Sequence, residues 1–176
     1  RVGRGRGQGP RRGLLLLVDA SAWVASSVVY GGVGAAVLAS IPSLAARLVL
    51  FDTAIADVSD QLGDPVEMLF GLRLGGGTNI DRALTYARGA ITRPRDTVVI
   101  LITDLFEGGS KEGVVRQVGE MLADGVAVVV LLALNDQGAP RYDTALAPRP
   151  ADLGAPALAR TPAGVAGGVG EGFGGK

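Results

Sequence analysis

The chain has no cysteine and no histidine among its 176 residues. Their absence removes disulfides, thiolate nucleophiles, Cys/His zinc sites and the Ser-His-Asp triad. Any metal here is therefore a hard cation held by oxygen: Mg²⁺, Mn²⁺ or Ca²⁺. An excess of charge is also missing, with Lys+Arg and Asp+Glu at 17 each. That leaves no overall polyelectrolyte signal and no case for nucleic acid as a partner. The five arginines between Arg1 and Arg12 sit in a Gly-rich stretch, read as a flexible solvated arm. Nothing at the N-terminus looks like a signal peptide, so the expected localisation is cytoplasmic. The chain begins without Met, as a piece of a longer protein does.

Charge is wholly absent from residues 20–46. That length is enough to span a bilayer. The stretch nevertheless holds several Ser and Gly, has Pro42 near its end and lies between two strand-like runs. We read residues 22–41 as a helix buried on most sides rather than a membrane span.

What is present is a series of short apolar runs with polar ends. Residues 14–18 (LLLLV) run straight into Asp19 and read as a strand buried on both faces of a parallel sheet. Residues 47–51 (RLVLF) form a second strand. Asp52-Thr53 is a tight turn, and residues 54–58 return as an antiparallel edge strand. Helical turns are expected over 66–70. Ile80, Ala83, Leu84, Ala87 and Ile91 give one face of an amphipathic helix, closed by Pro94. Residues 97–103 (TVVILIT) are the clearest strand. A helix follows over 111–123, with Ser110 as N-cap and Gly125 as its stop. Residues 126–134 are another buried strand. A helix over 142–153 is expected to be broken by Pro148 and Pro150, and residues 155–160 are a last strand. The order β-α-β-β-α-β-α-β implies an α/β, three-layer Rossmann-like sandwich, its central sheet mostly parallel with one antiparallel edge strand. The length suits one domain, taken as residues 14–162. Residues 1–13 form a flexible basic Gly/Arg-rich segment and 163–176 a Gly-rich frayed helix or disordered tail.

Ligands of open α/β sheets bind beyond the carboxyl ends of the strands. Asp19 and Ser21 end one strand, Asp104 ends another, and Thr78 opens a helix after three glycines. Together they offer two carboxylates and two hydroxyls, a set suited to Mg²⁺, Mn²⁺ or Ca²⁺. Each taken singly also reads as a helix cap. The run GGGT lacks the Lys of a P-loop and follows no convincing strand, which argues against nucleotide binding.

These motifs carry a resemblance. D-A-S-A-W, then G-G-T-N, then L-I-T-D resembles a von Willebrand factor A-type domain, from residue 14 to about 134. In that family D-x-S-x-S, a later Thr and a later Asp form the metal-ion-dependent adhesion site. The wording VDAS, FDT, LGGGTNIDRAL, LITDLFEGG and VVVLLALNDQGAP is similar to the bacterial CoxE-like group, typically encoded with MoxR-type AAA+ ATPases and assisting maturation or metal loading of other proteins. The resemblance implies that Ser21 and Thr78 give hydroxyl oxygens directly to the metal and that Asp19 and Asp104 bind mainly through water. A partner's Asp or Glu completes the shell. Trp23, Gly77 and Asn79 are then the partner-binding residues. The chain departs from the family at Trp23, which stands where D-x-S-x-S has its second Ser and brings no oxygen ligand. Either water fills that place, or the ion is lost and the surface binds without it. Trp23 is expected at the rim of the binding face; the alternative is that it packs between helix and loop.

The implied function is a non-catalytic protein-interaction domain with a divalent cation, linked to a MoxR-type AAA+ ATPase. The alternatives are a metal-free scaffold of the same fold and a phosphoryl-transfer enzyme using Asp19. The last wants an acid/base carboxylate two residues on, where this chain has Ser21.

Overall fold

The structure is a computed structural model and describes residues 12–20, 44–59, 77–133 and 142–160. The helix expected over 22–41, the helical turns over 66–70 and the tail over 164–175 lie outside the described residues. The described elements run β1 (Arg12–Asp19), β2 (Leu44–Phe51), β3 (Ile55–Asp57), α1 (Ile80–Ala90), a 3₁₀ turn (Pro94–Asp96), β4 (Thr97–Thr103), α2 (Lys111–Ala123), β5 (Ala127–Ala133), α3 (Pro148–Leu153) and β6 (Ala157–Arg160).

The strands form one sheet in the order β3-β2-β1-β4-β5-β6. β1 lies inside it, parallel to β2 on one side and to β4 on the other. β4–β5 and β5–β6 are also parallel, while β3 returns antiparallel along β2. The expected mixed sheet, with its antiparallel edge, is what the chain forms. Its central strands carry no polar alternation because both faces are covered. Leu15, Leu17, Val49, Phe51, Val99 and Leu101 face one way, against Ile80 and Leu84 of α1 and Val114, Val118 and Met121 of α2. Leu14, Leu16, Val18, Leu48, Leu50, Ile100 and Ile102 face the other way and are equally buried. Among the described residues, no helix is long and apolar enough to cross a membrane.

The helix ends follow local chemistry. Ser110 accepts from the Gly113 amide at 2.9 Å and caps α2. Gly125, at φ +96°, stops α2: its N–H donates to Leu122 O, and that of Val126 to Met121 O. That pair of bonds is the Schellman arrangement, which needs the left-handed conformation glycine adopts freely.

One expectation is corrected. Pro148 and Pro150 do not break a helix over 142–153; Pro148 begins the short helix α3. In the first turn a missing N–H costs nothing, and the fixed φ of proline already suits the helix. Residues 144–147 form turns that lead into it.

The β2–β3 hairpin carries a tied carboxylate. Asp57 accepts from the hydroxyls of Ser59 and Tyr86 and pairs with Arg47. Partial burial opposes its ionisation, but the hydrogen bonds from Ser59, Tyr86 and Arg47 outweigh that, and its pKa falls from 3.8 to about 2. A carboxylate depressed by folding stabilises the fold above its unfolded pKa, and that contribution is lost as pH falls through about 2. Asp57→Asn should therefore flatten the loss of stability between pH 4 and 2, read from denaturant midpoints along a pH series. In the core, Leu101 is fully buried at the centre of the sheet. Leu101→Ala should cost about 2–5 kcal/mol in equilibrium unfolding at neutral pH.

Candidate functional site: the carboxyl edge of the sheet

Because β1, β2 and β4 are parallel, their carboxyl ends emerge on one edge. The chain leaves β1 for β2 on one side and reaches β4 on the other, the position at which open α/β sheets place their ligand crevices. Asp19 ends β1 and Thr103 ends β4, both at 0 % exposure, while Asp52 follows β2 at 2 %. The Thr103 hydroxyl donates to Asp19 Oδ2 at 2.7 Å and accepts from the Leu105 N–H at 3.1 Å. A buried carboxylate is tolerated only with such partners.

Gly77, Thr78 and Asn79 reach the same edge. The Asn79 N–H donates to Asp52 O at 2.9 Å, and Thr78 O accepts from the Gly108 N–H at 3.0 Å. Gly77 takes φ +73°, and a Cβ there would lie 3.0 Å from the Thr53 methyl, so the turn needs glycine. Asn79 caps α1, its Oδ1 accepting from the Arg82 N–H at 2.9 Å.

Asp104 begins the loop after β4. Its Oδ1 accepts from the Phe106 N–H at 3.0 Å, and its carbonyl accepts from the Asp143 N–H at 2.8 Å. Leu105 sits at φ +59°, a left-handed conformation that costs a non-glycine residue on the order of 1 kcal/mol. Its side chain is fully buried, and the next residue, Phe106, is 53 % exposed. Asp143 anchors the far side of the loop. Its carboxylate pairs with Lys111 at 2.7 Å and accepts from the Ala145 and Leu146 amides. The Lys111 ammonium and those amides hold its pKa below the usual carboxylate value against the opposing effect of burial.

Of the residues singled out in the sequence, Asp19, Gly77, Thr78, Asn79 and Asp104 thus meet along one edge. Ser21 and Trp23 lie outside the described residues. Among the described residues, no group of three or more Asp, Glu, His or Cys is gathered as a metal cage. A cation here would depend on hydroxyls and water beside the two carboxylates. The all-oxygen donor set, with one carboxylate buried, fits a hard cation of that kind. Sequence reasoning missed Thr103, Asp52, Asp143 and Glu107, the last accepting from the Ile80 and Asp81 amides at the start of α1. Thr103 and Asp52 left one signal, a polar residue at the end of an apolar strand; Glu107 and Asp143 act through loop contacts that no periodicity encodes.

Thr103→Val keeps the side-chain shape and removes the hydroxyl. With Asp19 losing that donor and Leu105 N–H its acceptor, unfolding stability should fall by about 1–3 kcal/mol.

Comparison with known proteins agrees with the fold. A family model described as "VWA domain containing CoxE-like protein" matches residues 2–169. The chain is 40 % identical over 149 residues to the uncharacterized protein YehP of Escherichia coli (strain K12), covering 85 % of this chain and 39 % of YehP. It therefore spans well under half the length of that relative. Among solved structures it is similar to an aerotolerance-related membrane protein from Bacteroides fragilis NCTC 9343, with TM-score 0.66 at 12 % identity over 90 % of this chain and 96 % of that one. It is also similar to the SpRpn10 VWA domain, with TM-score 0.64 at 12 % identity over 86 % and 89 %. For the vWF domain of the type V pili tip protein Mfa5 from Porphyromonas gingivalis, the TM-score is 0.65 at 13 % identity over 92 % and 93 %. At these identities the structural likeness is one of fold. VWA domains are commonly protein-interaction modules. The chain belongs to the family of VWA domain containing CoxE-like proteins.

Proposed function

We propose that the chain is a non-catalytic protein-interaction domain that takes hold of an Asp or Glu on its partner through a divalent cation, Mg²⁺ or else Mn²⁺ or Ca²⁺. Asp19, Ser21, Thr78 and Asp104 hold that cation at the carboxyl edge. The observation that carries this reading is the meeting of the β1 end, the β4 end and the Gly77–Asn79 turn on one edge. The cation supplies an electrophilic centre with a vacant place for an incoming carboxylate. Asp19, buried and oriented by Thr103, contributes negative charge without being free to swing away. Thr78 contributes a neutral hydroxyl from a turn that is tied to Asp52 and Gly108 on its two sides. Few charged direct ligands leave the pull on a partner's carboxylate strong. Gly77 and Trp23 flank the partner, with Trp23 as an aromatic anchor at the rim, and Asn79 holds the turn in place. A MoxR-type AAA+ ATPase is the partner class this reading favours, with the domain serving maturation or assembly of other proteins. Ser21 stands where a phosphoryl-transfer enzyme would need its acid/base, so the reading includes no catalysis.

One observation favours a second reading, a metal-free scaffold of the same fold: Trp23 occupies the place of a ligand hydroxyl. Calorimetric titration with Mg²⁺ and Mn²⁺ separates the two. Under the first reading the starting chain releases or absorbs heat on binding, and Trp23→Ser tightens Mg²⁺ by roughly tenfold, about 1.4 kcal/mol. If neither chain binds either ion, the cation reading is lost and the scaffold reading stands.

A further inference from the structure

The loop after β4 holds one carboxylate that the cation reading leaves unused. Glu107 reaches across to the start of α1, where Oε1 accepts from the Ile80 N–H at 3.1 Å and Oε2 from the Asp81 N–H at 2.9 Å. These amides are among those that open a helix without intrahelical partners, and a carboxylate also suits the positive end of the helix dipole. Asn79 takes only the Arg82 N–H, so Glu107 completes the cap of α1 by taking the two amides before it. What distinguishes Glu107 is its origin on a different loop. The next residue repeats the link: the Gly108 N–H donates to Thr78 O at 3.0 Å. A Cβ on Gly108 would lie 2.8 Å from that oxygen, closer than real Cβ atoms come to backbone. The approach of the two loops is thus built into the residue types. Further along, a Cβ on Gly113 of α2 would lie 2.3 Å from Asp81 Oδ2, so α2 also leaves space for the start of α1. The other side of the Asp104 loop is held by the Asp143 N–H at 2.8 Å.

We infer that Glu107 is a positioning residue that locks the Thr78 turn to the Asp104 loop, so that the two present their oxygens at one fixed spacing. The inference rests on the reading above for its ligand, a divalent cation, while the lock itself is a property of the two loops. Glu107 acts through Thr78 and Asp104 and touches no ligand.

The test uses the whole chain with Glu107→Ala and Glu107→Gln, the second keeping one acceptor oxygen. Amide hydrogen exchange is followed by NMR, together with Mg²⁺ titration. The informative amide is that of Gly108, whose bond Glu107 does not itself make. We expect Glu107→Ala to speed exchange at Gly108 by about tenfold or more, with β4 and the middle of α2 unchanged, as in local opening. Glu107→Gln should fall between Glu107→Ala and the starting chain. Mg²⁺ affinity should drop by about tenfold or more in Glu107→Ala, the size typical of groups that orient metal ligands. Faster exchange at Ile80 and Asp81 with Gly108 unmoved would reduce Glu107 to a cap and overturn the lock. So would exchange that rises equally throughout β4 and α2, or a Mg²⁺ affinity equal to that of the starting chain. If the starting chain takes up no Mg²⁺, the cation reading fails, and the Gly108 amide alone then decides the lock.

Discussion

The structure depends on the burial of β1 on every side. Strands lie along both of its edges, and its side chains are buried on both of its faces. A strand in that position has no place for a polar side chain along its length, since each would need a partner inside the core. Polar groups are therefore confined to its ends. At the carboxyl end the constraint relaxes in a single step, from Val18 to Asp19, and the Thr103 hydroxyl is there to meet the carboxylate. The same abrupt change occurs after β2 at Asp52 and after β4 at Asp104. Three parallel strands that change character within one residue of the same level create a polar edge on an apolar slab.

That edge is then organised by backbone contacts between loops rather than by regular structure. Asp52 holds Asn79, Gly108 holds Thr78, and Asp143 holds Asp104, each by an N–H to a carbonyl oxygen at 3.0 Å or less. Backbone bonds of this kind survive many side-chain changes, which lets a family keep one loop arrangement while varying the chemistry it presents. Side chains matter where a carboxylate or a missing Cβ makes the approach possible, as at Glu107, Gly77 and Gly108.

Most of the sheet was legible in the sequence, because uninterrupted apolar runs such as 14–18 and 97–103 have few other ways to be buried. The helix over 111–123 was legible to the residue, since Ser110 and Gly125 act through local hydrogen bonds. The prolines of α3 misled because proline is read as a breaker, whereas its effect depends on whether it falls in the first turn. At the edge, Asp19 was legible as a strand end; Thr78, expected to open the helix, lies one residue before its N-cap Asn79, and Asp104 lies one residue past the end of β4 at Thr103. Asn79 is spent at least in part on capping α1, which its place after three glycines did not reveal. The reach of Glu107 to α1 and the pairing of Asp143 with Lys111 were invisible for a physical reason: these contacts join distant segments and leave no periodic trace.

The three-residue length of β3 has a bearing on how this chain behaves among copies of itself. A sheet's outer strand offers unpaired N–H and C=O groups to any passing chain, and a long flat one invites edge-to-edge growth into aggregates. Among the described residues the outermost strand on that side is Ile55–Asp57, and it turns back antiparallel to its neighbour. It ends on an aspartate bound to Arg47, Ser59 and Tyr86. So short a template, ending on a fixed charge, gives an incoming strand little to pair with. A chain whose inner strands are almost wholly aliphatic thereby limits strand pairing along this border.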